Sequence, residues 1–232
     1  MLIRSIFFYL FLYFWTILLG IISLPYLLLP RKYTLELANI WINGILILLR
    51  IICRINYEIK GEENIPKKGV IVASKHQSAF ETLLLFKFIN KSIFIHKKEL
   101  FFIPIFGLYL KKSNMVSINR KEGPKAMRKM IKDVKENINK GFSIIIFPEG
   151  TRTKPGAEPN YKTGIAGIYK EAETEVLPVA VNSGKYWPKH SFVKKPGTII
   201  IKFLKPIPKQ LSKAKFLEDL EFIIEKETNK II

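Results

Sequence analysis

The chain has 232 residues, enough for one catalytic-size domain and something extra. Its net charge of +19 suits a nucleic acid or an anionic membrane surface, and crowding of apolar residues into the first 55 positions favours the membrane. The single cysteine, Cys53, excludes an intrachain disulfide, and three scattered histidines without zinc-type Cys/His spacing predict no metal site.

Residues 3 to 29 are apolar apart from Arg4 and a few small or polar positions. About 20 apolar residues span a bilayer, so the run is long enough, and it lacks the small-residue cleavage site of a signal peptide. Gly20 and Pro25 are candidate kinks, and Arg31-Lys32 ends the run. A second run, Leu35 to Cys53, carries Glu36, Asn39, Asn43 and Arg50 and is a poorer spanning helix. Two arrangements stay open: a helical hairpin within one leaflet, or one spanning helix followed by an interfacial one. Arg4, Arg31, Lys32 and Arg54 flank both runs, so the positive-inside rule does not choose an orientation.

From Asn56 the composition changes, giving expected units of 1–55 (membrane-binding helices) and 56–232. Tyr57 to Lys60 alternates as a strand, and Gly61 to Gly69 is a turn. Val70 to Ala73 reads as a buried strand, followed by a turn holding His76 and a helix to Phe88. Ser92 to His96 is a further strand, and the apolar stretch Leu100 to Leu110 reads as core or as a lipid-facing patch. Val116 to Ile118 is a strand, Pro124 to Asn139 an amphipathic lysine-rich helix stopped by Gly141, and Phe142 to Phe147 a buried strand. After a Pro/Gly-rich loop, Gly164 to Glu171 is helical, Val176 to Val181 and Thr198 to Leu204 are strands, and Ser212 to Lys230 is a terminal helix. This alternation predicts an α/β fold: a mostly parallel mixed sheet flanked by helices, preceded by a membrane-embedded helical element.

Polar side chains collect at three strand ends: His76 with Glu81, then Arg120, then Glu149 with Arg152. In open α/β sheets ligands gather at the carboxyl ends of strands. In one continuous helix His76 and Glu81 would point roughly 140° apart; they meet only if His76 lies in the turn and Glu81 in the first helical turn. There a carboxylate holds one ring nitrogen while the other takes a proton from a hydroxyl. Ser78-x-x-Glu81 is equally a helix capping box. Arginine's planar fork suits phosphate, and the Gly150-Thr151 turn offers amides to an anion.

In this order the residues resemble the glycerophospholipid acyltransferases, and among them the 1-acylglycerol-3-phosphate acyltransferases. His76-Gln77-Ser78-Ala79-Phe80-Glu81 matches a His-x4-acid motif; Gly107 with Ile118-Asn119-Arg120 matches a second; Phe147-Pro148-Glu149-Gly150-Thr151-Arg152 is an intact third; Leu177-Pro178-Val179 matches a fourth. Lys162 and Gly164 match a Lys-x-Gly between the last two. The match runs from about residue 56 to 205. Two departures stand out: Glu81 replaces the usual Asp, and Asn119 the usual acid before Arg120.

The resemblance implies transfer of an acyl chain from acyl-CoA or acyl carrier protein to lysophosphatidic acid, with no cofactor and no covalent enzyme intermediate. His76 is then the base and Glu81 its orienting carboxylate. Arg120, Gly150, Thr151 and Arg152 bind the substrate phosphate, with Glu149 positioning the turn or a glycerol hydroxyl. Lys97, Phe101, Phe102 and Gly107 line the acceptor and acyl-chain site, and Ser78 is a helix cap, not a nucleophile. Expected partners are membrane phospholipids, lysophosphatidic acid and the acyl carrier, and no nucleic acid, which would rest on charge alone. The expected place is the bacterial cytoplasmic membrane, with the catalytic domain facing the cytoplasm. Two alternatives remain: a related acyltransferase with another acceptor, such as glycerol 3-phosphate, a lyso-ornithine lipid or a lipid A precursor, and a lipid-binding protein without turnover.

Overall fold

The computed structural model describes residues 1–118 and 123–232. Asn119 and Arg120 lie outside the described residues, and Lys97 is described by its main chain only.

The chain begins with helix α1 (Leu2–Ile22), a 3-10 turn over Leu24–Leu28 with Pro25 in its first turn, and helix α2 (Arg31–Leu48). A single π turn, Leu49–Cys53, extends α2 and ends at Arg54 in the left-handed conformation. Arg31, which ends the first apolar run, also opens α2. A cation is unfavourable at a helix N-terminus. Here Arg31 Nε donates to the Ser113 carbonyl at 2.9 Å, and its guanidinium lies 5.0 Å from the Phe142 ring centre.

Among the described residues seven strands follow: β1 (Ile55–Lys60), β2 (Ile71–Ser74), β3 (Ser92–Lys97), β4 (Val116–Ile118), β5 (Ser143–Ile146), β6 (Val176–Val181) and β7 (Gly197–Phe203). Their order across the sheet is β1-β7-β6-β2-β5-β3-β4. All neighbours are parallel except β6 and β7. Among the described residues five further α-helices connect or follow the strands: α3 (Phe80–Phe88), α4 (Phe106–Lys112), α5 (Gly123–Asn139), α6 (Gly164–Ala172) and α7 (Lys213–Asn229). The expected α/β sheet is present, and most element bounds differ from the expected ones by one to three residues.

Strand β2 is central, and its parity divides the core. Successive side chains leave a strand on opposite faces. Val72 joins Leu84, Ile145, Val179 and Phe8 on the face covered by α1, α2 and α3. Ile71 and Ala73 join Val134, Ile168, Phe216 and Leu220 on the face covered by α5, α6 and α7. The first of these clusters runs without a break from the N-terminal helices into the sheet, across the change of composition at residue 56.

Helices α1 and α2 pack through their tryptophans. Trp15 Nε1 donates to the Trp41 carbonyl at 3.1 Å, and Trp41 Nε1 to Thr16 Oγ1 at 3.0 Å. Both helices are long and apolar enough to cross a membrane. The outward face of α1 carries Ile3, Phe7, Leu10, Phe14 and Ile17, all exposed.

Candidate active site

Strand β2 sets down the site at its carboxyl end. The Lys75 amide still bonds to the Val179 carbonyl at 3.0 Å, so the ladder holds one residue past the strand. His76 follows, then a three-residue turn, then α3, whose first turn carries Glu81. The Glu81 side chain, fully buried, reaches back over the turn. Its Oε1 meets His76 Nδ1 at 2.9 Å and accepts from the Gln77 and Ser78 amides at 2.7 and 2.8 Å. Its Oε2 accepts from the Ser78 and Ser183 hydroxyls at 2.7 and 2.6 Å. Capping and orientation are thus two uses of one carboxylate, and glutamate's extra methylene is taken up by that backward reach. Ser78 Oγ accepts from the Phe80 amide at 2.9 Å, a local turn bond one residue before Ala79, the N-cap of α3.

Burial pushes the Glu81 carboxyl upward. The His76 bond and charge, with the Ser183 and Ser78 bonds, outweigh it and hold the carboxyl below its ordinary range. An ionised Glu81 accepts only, so His76 Nδ1 carries the proton of this bond and Nε2 is the ring nitrogen left to face the cavity. The ring stacks on Phe147, with centres 3.9 Å apart and planes 18° from parallel. Carboxylate and aromatic ring together fix the orientation of the imidazole.

The main chain of His76 is held as firmly. Its amide donates to Glu149 Oε2 at 2.9 Å, and its carbonyl accepts from the Thr153 amide at 2.8 Å. Glu149 Oε1 accepts from Lys75 Nζ at 2.7 Å and from Thr153 Oγ1 at 2.8 Å. Both oxygens of the buried Glu149 are therefore engaged by protein donors. These bonds position the turn, and Glu149 also borders the cavity that opens at His76.

A cavity of about 1250 Å³ opens at His76. Its walls are almost wholly apolar and come from α1, α2, α3, the segment 100–110 and the inner side of α5; Pro148, Gly150, Thr151 and Lys162 border it. Two expectations about its lining need correction. First, Phe101, Phe102 and Gly107 are not in the wall: Phe102 is 79% exposed, and Phe101 meets His96 edge-on. A Cβ at Gly107 would lie 2.1 Å from the Phe101 carbonyl oxygen, so this glycine serves close chain approach. The segment folds as a 3-10 turn (Lys98–Phe102) followed by α4, and it turns Leu100, Phe106 and Tyr109 toward the cavity instead. Second, the Gly150 amide donates to the Phe147 carbonyl at 2.9 Å, so it closes the turn, in a left-handed conformation (φ +66°), instead of facing an anion.

Thr151 lies at the cavity border, and its hydroxyl accepts from Lys189 Nζ at 3.3 Å. Arg152 is exposed and is not part of the cavity wall. Arg120 is outside the described residues. Sequence reasoning missed Lys75, Thr153, Tyr161, Ser183 and Glu225. Ser183 alone carried a usable signal, since it follows β6 at the same strand end as His76.

A family model described as acyltransferase matches residues 56–182. A 1-acyl-sn-glycerol-3-phosphate acyltransferase from Pseudomonas aeruginosa is 36% identical over 200 residues, covering 85% of this chain and 77% of that protein. One from Borreliella burgdorferi is 30% identical over 155 residues, covering 66% and 58%. Among solved structures, the 1-acyl-sn-glycerophosphate (LPA) acyltransferase PlsC from Thermotoga maritima superposes with a TM-score of 0.82 at 25% identity, over 99% of this chain and 95% of that one. The chain belongs to the glycerophospholipid acyltransferase family, among its 1-acylglycerol-3-phosphate O-acyltransferases.

Proposed function

We propose that the enzyme moves an acyl chain from acyl-CoA or acyl carrier protein to the sn-2 hydroxyl of 1-acyl-sn-glycerol 3-phosphate, giving phosphatidic acid for phospholipid biosynthesis. The carrying observation is a single one: His76, oriented by Glu81, lines a large apolar cavity. His76 Nε2 takes the proton of the acceptor hydroxyl as its oxygen attacks the thioester carbonyl. Collapse of the tetrahedral intermediate breaks the C–S bond, and the imidazolium returns the proton to the leaving thiolate. Glu81 stabilises that imidazolium. The cavity holds acyl chain, and the exposed Arg152, with Lys189 beside Thr151, supplies positive charge for the glycerol phosphate at its border.

Membrane binding in this reading is monotopic, on the cytoplasmic face of the inner membrane. Near one end of α1, Ser5 Oγ accepts from the Lys194 amide at 2.8 Å and Phe8 packs edge-on to Trp187. Near the other, the Gly20 carbonyl accepts from Tyr109 Oη at 2.8 Å. About 22 Å of helix, at roughly 1.5 Å per residue, thus lies along the catalytic domain. A helix tied to one domain at both ends supports a hairpin in a single leaflet over a crossing.

The test offers several acceptors (lysophosphatidic acid, glycerol 3-phosphate, a lyso-ornithine lipid) with one acyl thioester to purified wild type. Turnover confined to lysophosphatidic acid supports the reading; preference for another acceptor refutes it.

A further inference from the structure

We propose that the C-terminal helix α7 is part of the catalytic apparatus: through Glu225 and the buried Lys75 it sets the position of the His76 main chain. The inference rests on the reading of His76 as the base.

Lys75 and His76 leave the end of β2 on opposite faces of the sheet, as alternation requires. The imidazole works on the side of α1 to α3, stacked on Phe147. The lysine goes to the side of α5 to α7. It is 2% exposed, and its Nζ lies 2.7 Å from Glu149 Oε1 and 2.7 Å from Glu225 Oε1. Glu225 Oε1 also accepts from Tyr161 Oη at 2.9 Å. Burial and the Glu225 charge push the Tyr161 hydroxyl upward, so it stays protonated and donating. From Glu149 the series continues to the His76 amide. An unbroken line of short bonds therefore runs from α7 and the loop before α6 to the peptide that carries the base.

One ammonium faces two carboxylates here. A buried cation without partners is costly, and apolar packing often replaces a buried ion pair with no loss of stability. A plain staple between α7 and the sheet needs no charge. Glu149, by contrast, takes the His76 amide and the Thr153 hydroxyl, and Lys75 is the buried cation that lies against it. Glu225 and Tyr161 hold the ammonium in place. Lys75, Glu225 and Tyr161 are positioning residues; none of them touches substrate.

The experiment measures kcat and KM for both substrates in full-length, membrane-reconstituted enzyme, with His76→Ala as the control that establishes the base. Glu225→Gln, at a partly exposed position, keeps the fold and is expected to lower kcat about tenfold with each KM within twofold. Lys75→Met leaves Glu149 buried and unpaired and is expected to lower kcat about 100-fold, the scale of a small misplacement of a reacting group. The double variant Lys75→Met/Glu149→Gln removes both charges, while the side-chain amide oxygen introduced at position 149 still accepts from the His76 amide. It is expected to recover most of the loss. A kcat unchanged within twofold in Glu225→Gln and Lys75→Met, with only thermal stability reduced, overturns the proposal. A rise in KM at constant kcat, or a double variant no better than Lys75→Met, also overturns it. Each of these leaves the His76→Ala result, and hence the reading of the base, untouched.

Discussion

The His76 amide donates to Glu149 at 2.9 Å, across 73 residues of chain. The first and third of the four motifs are therefore one mechanical unit. The first supplies the imidazole and its carboxylate. The third supplies the ring on which the imidazole stacks and the acid that fixes its peptide.

Glu81 accepts five hydrogen bonds, so its charge and its length both matter. Glu81→Gln lowers kcat about 100-fold, since general-base catalysis typically contributes 10²–10⁴. Glu81→Asp keeps the charge and loses less. The pH dependence follows from the depressed carboxyl. Above the ordinary unfolded value of about 4.3 the stabilisation is complete, and it is lost as pH falls through the lower folded value. Urea unfolding from pH 6 downward shows this acid slope in wild type, and Glu81→Gln reduces it.

Ser183 donates the shortest bond to Glu81, at 2.6 Å, and both groups are fully buried. Ser183→Ala leaves one carboxylate oxygen short of a donor and costs about 1–3 kcal/mol of stability. Thermal unfolding measures it. Turnover falls less than in Glu81→Gln, because His76 keeps its partner.

Gly44 lies where α2 meets α1, and a Cβ there would fall 2.3 Å from Trp15 Nε1. Gly44→Val drives the two helices apart and displaces Trp41 and Thr16, which line the cavity. Overpacking of this kind costs about 1–3 kcal/mol. The expected result is a lower melting temperature, together with a raised KM for long-chain acyl donors.

With a net charge of +19, the chain is expected to be drawn by long-range attraction to the proposed partners, anionic lipid and an acidic carrier. Raising the salt from about 0.05 to 0.5 M shortens the screening length several-fold and lowers kcat/KM. Activity flat across that range counts against this attraction.

The sequence made the His76–Glu81 contact legible because the pair is local. His76 and Glu81 lie five residues apart across one strand-helix turn, and strand parity with helix phase leaves few ways to place them. Phe147 to Arg152 was legible as a motif through its resemblance to the family, not through its geometry. The supporting residues were not. Lys75, Tyr161 and Glu225 are common residue types whose partnership spans up to 150 positions, and only the packing of α7 beside β2 brings them together. Segment 100–110 was misread in detail because a 3-10 turn followed by a helix has no single period. Apolar content alone therefore could not say that Leu100 and Phe106 face inward while Phe102 faces out.

Reconstituted wild type and His76→Ala, supplied with lysophosphatidic acid and an acyl thioester, give the sharpest test when thiol release and phosphatidic acid formation are followed together. Stoichiometric release and product are expected in wild type. A loss of about 100-fold or more is expected in His76→Ala, with the circular dichroism of the two proteins unchanged. His76→Ala retaining turnover within a few-fold of wild type contradicts the assignment of the base.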